Sequence, residues 1–217
     1  MPALDYVFLH DNRLTGSIPF SFRRLSNLSD LFLYSNLLTG RLPTTFSSSL
    51  TSLLIDDNTF TGSIPSTWGS SIPNLWVLAL GQNSLTGRIP PSLFAALTNL
   101  EYLTAGDNFL SGPLPESFPA SISDISLPTN ALTGPIPSTW GGMLPNLGSL
   151  AIHGNLLTGS IPVSLGRIPA LTSFTFNSNS LTRSVDFLCD VENRTSLEAD
   201  CPLPITCSCC TICHDVR

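Results

Sequence analysis

Apolar residues recur along this 217-residue chain with a long period laid over a short one. The long period is marked by asparagines, Asn12, Asn36, Asn58, Asn83, Asn108, Asn130, Asn155 and Asn179, at spacings of 24, 22, 25, 25, 22, 25 and 24. Positions −8, −5 and −3 from each asparagine are aliphatic or aromatic in nearly every copy: Leu28, Leu31 and Leu33 precede Asn36, and Leu171, Phe174 and Phe176 precede Asn179. Ala105 is the one small residue at −3. Positions −5 and −3 alternate with polar or variable residues, the two-residue period of a strand with one buried face. After each asparagine runs x-L-T-G-x-I-P, as in Leu14-Thr15-Gly16-Ser17-Ile18-Pro19. The eighth copy, Leu181-Thr182-Arg183-Ser184-Val185-Asp186, has lost the glycine and the proline. Self-similarity at such a period predicts a solenoid of stacked coils, each with one strand at a constant phase.

The chemistry of each position supports that geometry. An asparagine that turns inward after a strand buries an amide, which costs a few kcal/mol unless it is bonded. All eight, being at one phase, are expected to stack as a buried ladder, each satisfying backbone groups at the turn. Thr-Gly supplies a tight bend with a permissive backbone, and the proline removes an N–H and stops a helix from running through it. From each repeat proline to the next −8 residue the distance is 9, 7, 10, 10, 7, 10 and 9, so all length variation falls on the outer side. Short 3-10 or extended segments are expected there. An offset of 72 also maps Trp68 onto Trp140 and Phe46 onto Phe118, as if a three-repeat block had been duplicated. Both tryptophans read as core.

Composition narrows the function. Charged residues are 11% of the chain, the net charge is −6, and all nine cations are arginine. The absence of lysine excludes Schiff-base chemistry and a P-loop. An acidic chain without a basic stripe argues against nucleic acid as a partner. No apolar run approaches the ~18 residues of a membrane span. Gly and Pro are explained as turn parts, and leucine, about one residue in six, by the several needed in phase in each coil. Met1 leads directly into strand residues Leu4, Val7 and Leu9, without a leader or a polar cap, so the chain reads as a fragment lacking its N-terminal cap and signal peptide.

The pattern LxxLxLxxNxLTGxIPxxL over residues 4–188 resembles the plant-type leucine-rich repeat. The resemblance implies an α/β-class, right-handed horseshoe of about eight coils. A parallel sheet would line its concave face, with short 3-10 or extended segments on the convex face, and the usual task would be extracellular recognition. The expected division is a solenoid over 1–188 and a Cys-rich cap over 189–217. The cap sequence, Cys189-Asp190 and Cys207-Ser208-Cys209-Cys210-Thr211-Ile212-Cys213, departs from the paired-cysteine cap of plant members and is similar to that of algal, diatom-type surface repeat proteins. Cys189, Cys201, Cys207, Cys209, Cys210 and Cys213 read as disulfide partners; Cys189 is expected to tie the last coil to the tail. Zinc ligation by Cys207, Cys209, Cys210, Cys213 and His214 is the alternative, but two separated C-x-x-C knuckles are missing. Sequons stand at Asn27 and Asn193.

Function is expected on the concave positions −6, −4 and −2, with −1 at the rim. The first two copies pool Tyr6, Phe8, His10, Phe32 and Tyr34; Asp11, Asp30, Asp56 and Asp57 surround them, and Tyr102 and Asp107 extend the surface. Dense aromatics on a solvent-facing sheet suggest a contact surface. The expected partner is a protein, peptide or glycan, bound outside the cell by a secreted or surface-anchored, receptor-like protein. The alternative is a wall or matrix component, or an adsorber to ice or polysaccharide, through the column Thr15, Thr39, Thr61, Thr86, Ser111, Thr133, Thr158 and Thr182. No metal site is expected, Asp56-Asp57 included, and no cofactor. No nucleophile–base pair or metalloprotease motif occurs, so the chain is not expected to be an enzyme.

Overall fold

A computed structural model describes residues 4–182, 185–189, 195–201 and 207–215. The chain forms two all-parallel sheets joined coil by coil. The strand of each repeat, such as Val77–Ala79 or Tyr102–Thr104, pairs with its counterpart in the next coil without offset: Val77 faces Tyr102 and Ala79 faces Thr104. This concave sheet has ten strands. Eight lie at the repeat positions, and Ser196–Cys201 and Ile212–Asp215 extend it beyond them.

The second sheet is made of the L-T-G segments, from Thr15–Gly16 to Ser180–Thr182. Here equivalent positions do not face each other. Thr39 pairs with Thr59 and Thr61 with Ser84, an offset of two residues at each coil. Its strands therefore run obliquely to the stack. In the first seven coils the bend closes on a left-handed glycine, for example Gly87 at φ 78°, where a side chain would be strained.

Coil length decides what the outer segment becomes. The three coils with 25 residues between asparagines carry a short α-helix: Trp68–Ser71, Pro91–Ala96 and Trp140–Met143. The two 24-residue coils carry 3-10 turns, Phe20–Arg24 and Val163–Arg167. The two 22-residue coils, through 42–50 and 114–122, have no helix. Every outer segment must cross about the same distance. An extended residue covers ~3.3 Å and a helical one ~1.5 Å, so only spare residues can wind into helix.

Between the sheets lies one continuous core. In the fourth coil Leu75, Leu78, Leu80 and Leu85 are fully buried. Trp68 and Trp140 are also fully buried; each indole N–H donates to the turn-proline carbonyl of the preceding coil, Pro43 at 2.8 Å and Pro115 at 3.0 Å. Among the described residues the same inward positions of the first coil have no coil before them, and Leu4, Leu9 and Leu14 are exposed.

The asparagine amides join coils and sheets together. Asn83 Nδ2 donates to Ile55 O in the preceding coil (3.1 Å) and to Leu80 O and Gly81 O in its own, while its Oδ1 accepts the Phe60 N–H at 2.9 Å. The same set recurs at each coil from the second onward. Backward across the stack, Asn36 donates to Leu9 O, Asn58 to Leu33 O, Asn108 to Leu80 O, Asn130 to Ala105 O, Asn155 to Leu127 O and Asn179 to Ile152 O. Their oxygens accept from the second sheet, Asn58 from Leu38 N–H, Asn108 from Leu85, Asn130 from Leu110 and Asn155 from Leu132, all at 2.9–3.0 Å. Asn36, Asn58, Asn83, Asn108 and Asn155 are buried, whereas Asn130 and Asn179 are half-buried with the same bonds. The residue before each asparagine is left-handed, from Gln82 at φ 50° to Gly154 at φ 64°. That kink turns the asparagine into the core.

Asn12 departs from the expected ladder of eight. It is exposed and its side chain bonds only carbonyls of its own coil, Leu9 and His10. The reason is geometric: each amide reaches back to a carbonyl of the preceding coil, and among the described residues none lies behind Asn12.

The far end is closed. Asp200, nearly buried, accepts the N–H groups of Ser178 (2.9 Å) and Asn179 (3.4 Å). In the inner coils those two positions bond carbonyls of the next coil, as Gln82 and Asn83 do with Gly106 and Asp107. Leu197 and Ala199 cover Phe174 and Phe176. Cys189 is bonded to Cys209 and Cys207 to Cys210, so the last coil is tied to the tail; Cys213 is also disulfide-bonded. The side chain of Cys201 and all of Asn193 lie outside the described residues.

Asn83→Ala removes three donations and one acceptance from a buried turn, and is expected to cost ~1–3 kcal/mol by denaturant unfolding. Asn12→Ala, which removes no side-chain bond to another coil, is expected to cost under ~0.5 kcal/mol. Asp200→Ala is expected to cost ~1–3 kcal/mol in the same assay, and Asp200→Asn less, because the amide oxygen still accepts.

Candidate functional site

Because the concave sheet is in register, side chains at one repeat position form straight rows. One row runs Tyr6, Asp30, Ser52, Val77, Tyr102, Asp124, and the next runs Phe8, Phe32, Leu54, Ala79, Thr104, Ser126. The rings of the first two coils form a single patch. Phe8 stacks on Phe32 at 4.7 Å and His10 on Tyr34 at 4.5 Å, with Tyr6 5.9 Å from Phe8. Tyr6 and Phe8 are 60% and 54% exposed, values for side chains held against a sheet without being covered. His10 Nδ1 is buried without a hydrogen-bond partner, and its Nε2 is 4.0 Å from the Asp11 carboxylate.

Asp30, Asp56 and Asp124 are half-buried on the same face. Ser29 Oγ donates to Asp30 at 2.6 Å. The Asp56 carboxyl is held above its usual pKa of 3.8, first by burial and then by the nearby Asp57 charge, against a lowering hydrogen bond from its own backbone. Burial also raises Asp124, partly offset by a hydrogen bond from Ser149. Among the described residues no cation pairs with either. Arg13, Arg41 and Arg88 belong to the turns and second sheet, and Arg23, Arg24 and Arg167 to the outer segments.

Asp11, Asp57 and Asp107 stand at the left-handed position before the asparagine, with φ of 54°, 51° and 54°. Aspartate tolerates that conformation better than most residues, so the backbone accounts for their identity without a ligand. Asn27 is exposed on the outer side of the second coil. The threonines of the L-T-G turns are exposed, with Ser111 half-buried, but the two-residue offset places successive ones roughly 8 Å apart along a diagonal. They do not form a straight column at coil spacing.

Trp76 is the functional candidate that repeat reasoning passed over. It is 42% exposed, beside Tyr102 at 41%. The two rings meet edge to face at 6.0 Å, and the indole N–H donates to Ser52 Oγ at 3.1 Å. Trp76 precedes its strand, one place outside the rows read as concave. The signal was present: the other residues at that phase are Asp5, Ser29, Thr51, Glu101, Ser123, Gly148 and Thr172, and none is aromatic.

A leucine-rich repeat family model matches residues 48–110 and a second matches residues 3–25. Among curated proteins none matches the chain. Among solved structures, the chain is 31% identical to a pollen receptor kinase 3, over 70% of this chain and 74% of that one, with a TM-score of 0.64. It is 30% identical to the repeat ectodomain of the Arabidopsis thaliana membrane receptor kinase GASSHO1/SCHENGEN3, solved in complex with CASPARIAN STRIP INTEGRITY FACTOR 2 (94% of this chain, TM-score 0.80). It is 29% identical to the ectodomain of the Arabidopsis receptor kinase HAESA, solved with an IDA peptide hormone ligand (94% of this chain, TM-score 0.85). The chain spans only 24% and 34% of those last two. Among the described residues no helix is long and apolar enough to cross a membrane.

The folded Asp56 carboxyl binds its proton at higher pH than the unfolded one. In the window from 3.8 up to its raised value the folded chain therefore holds more protons. Stability from this group falls as pH rises through that window, and the penalty is complete above it. Asp56→Asn is expected to raise the thermal midpoint at about pH 7 and to change it little at about pH 3.5.

Proposed function

The chain belongs to the plant-type leucine-rich repeat family, and on that footing we propose that it is an extracellular recognition module whose concave sheet binds a peptide or an extended protein segment. The observation that carries this reading is the continuous patch of Tyr6, Phe8, His10, Phe32 and Tyr34, stacked ring on ring yet open to solvent. Aromatic rings bring large contact area at small entropic cost, and they dominate the centres of interfaces. The parallel sheet beneath holds them in place before binding, which lowers the ordering cost of association.

Charge adds direction. Asp30, Asp56 and Asp124 sit on the sheet, while the described arginines lie on other faces. A ligand with basic groups is therefore favoured, and unlike-charge attraction speeds its encounter. Disulfides in the tail suit an oxidising compartment. The peptide hormone bound to the HAESA ectodomain supports a peptide as the ligand class. The reading is of a binder without turnover.

The test is selection of displayed random peptides on the immobilised protein, followed by calorimetry with an enriched peptide. Phe8→Ala or Tyr34→Ala is expected to weaken binding at least tenfold. Leu156→Ser, at an exposed position of the second sheet, is expected to leave it within twofold. Enrichment only of peptides insensitive to both concave substitutions, or binding seen only on a glycan array, overturns the reading.

A further inference from the structure

The middle of the concave face holds a second, smaller grouping, separate from the aromatic patch. Trp76 and Tyr102 are exposed rings at right angles, with Ser52 fixing the indole N–H. Asp124 is the direct sheet neighbour of Tyr102. Glu101, whose N–H bonds Trp76 O at 2.9 Å, is the neighbour of Trp76 in the next coil. Two acidic residues thus neighbour the two rings in the sheet register, Asp124 also accepting a hydrogen bond from Ser149, and among the described residues no arginine forms an ion pair with either.

We propose that Trp76, Tyr102, Asp124 and Glu101 form a subsite for one cationic side chain of the ligand, an arginine foremost. A cation within about 6 Å of an aromatic face is attracted by the ring quadrupole, most strongly by tryptophan. A planar guanidinium also stacks on a ring while its N–H groups bond a carboxylate beside it. The register supplies that pairing: adjacent strands lie ~4.8 Å apart, so a group seated on the Tyr102 ring lies beside Asp124. The indole cannot turn away without giving up its bond to Ser52. The Asp124 carboxyl, pushed up by burial, has no cation partner among the described residues and gains from an external one. A neutral sugar would use the rings and hydrogen-bond the carboxylates through its hydroxyls, but it brings no charge to balance theirs.

This proposal rests on the concave face being the binding face, so its test uses a small probe as well as a selected peptide. N-acetyl-arginine methylamide is titrated into the labelled protein at low salt, and the indole N–H resonances are followed. Trp76 is expected to shift, while Trp68 and Trp140, both fully buried, stay put. The uncharged citrulline analogue is expected to bind at least fivefold more weakly. Asp124→Asn and Glu101→Gln are each expected to weaken the arginine probe at least threefold, and Trp76→Leu to abolish the response while the circular dichroism spectrum is unchanged. Equal shifts from arginine and citrulline, a larger shift from methyl glucoside, or no shift at Trp76 overturns the subsite. A selected peptide that binds through Phe8 and Tyr34 but tolerates exchange of all its arginines for citrulline overturns the subsite alone. A normal probe response with no peptide bound through the aromatic patch overturns the broader reading alone.

Discussion

One buried amide per coil ties this molecule together. The Asn83 side chain donates to the carbonyl that ends the preceding strand of the concave sheet and accepts an N–H from the second sheet. A single planar group therefore locks the distance between the sheets and the phase of adjacent coils. An amide has two donors and one accepting oxygen, and here all are engaged away from water, where an unmet polar group is costly. Neither the strand nor the L-T-G turn can change length without breaking the set. The outer segment touches none of these bonds, so it alone absorbs the difference between coils of 22 and 25 residues, as extended chain, 3-10 turn or short helix.

A ladder of this kind has ends, and the two ends differ. Asp200 supplies carboxylate oxygens to the last two turn N–H groups, Leu197 and Ala199 cover the final apolar layer, and disulfides hold the tail there. At the first coil the Asn12 side chain bonds only its own coil, and Leu4, Leu9 and Leu14 are exposed. The aromatic patch lies at this open end and the cationic subsite nearer the middle, so the concave face presents two kinds of surface a few coils apart. Beyond them the rows turn small and polar, as in Ser149, Ala151 and Ser173.

Much of this was legible in the residues themselves. Periodicity identified the strands, the inward positions and the turn, because each repeats a contact made by every coil with its neighbour. The stacked phase of Asn36 through Asn179 and the burial of Trp68 and Trp140 follow from the same repetition. Asn12 carries the same motif but not the same bonds, because a period records what a residue is and not whether a coil lies behind it. The aromatic patch could be placed because alternation along a strand decides which side faces out. The acidic residues before the asparagines could be placed but not understood. Their left-handed backbone, shared with Ser35, Gln82 and Thr129, is a demand of the turn, and that demand is met by several residue types.

The residues alone were enough for the solenoid, for one strand at a constant phase in each coil and for the constancy of strand and turn; the second sheet emerged from the structure. Those depend on positions that recur, and recurrence can be counted. Features that occur once came from the folded chain. Trp76 crosses from its own coil to Ser52 and Tyr102 in the coils on either side. Asp200 takes the place of the carbonyls that bond these turn N–H groups in the inner coils. The second sheet slips two residues per coil, which turns a column of threonines into a diagonal. Each is a contact between residues of different coils with no counterpart in the repeat, or an offset accumulated by stacking, so the period carries no trace of it.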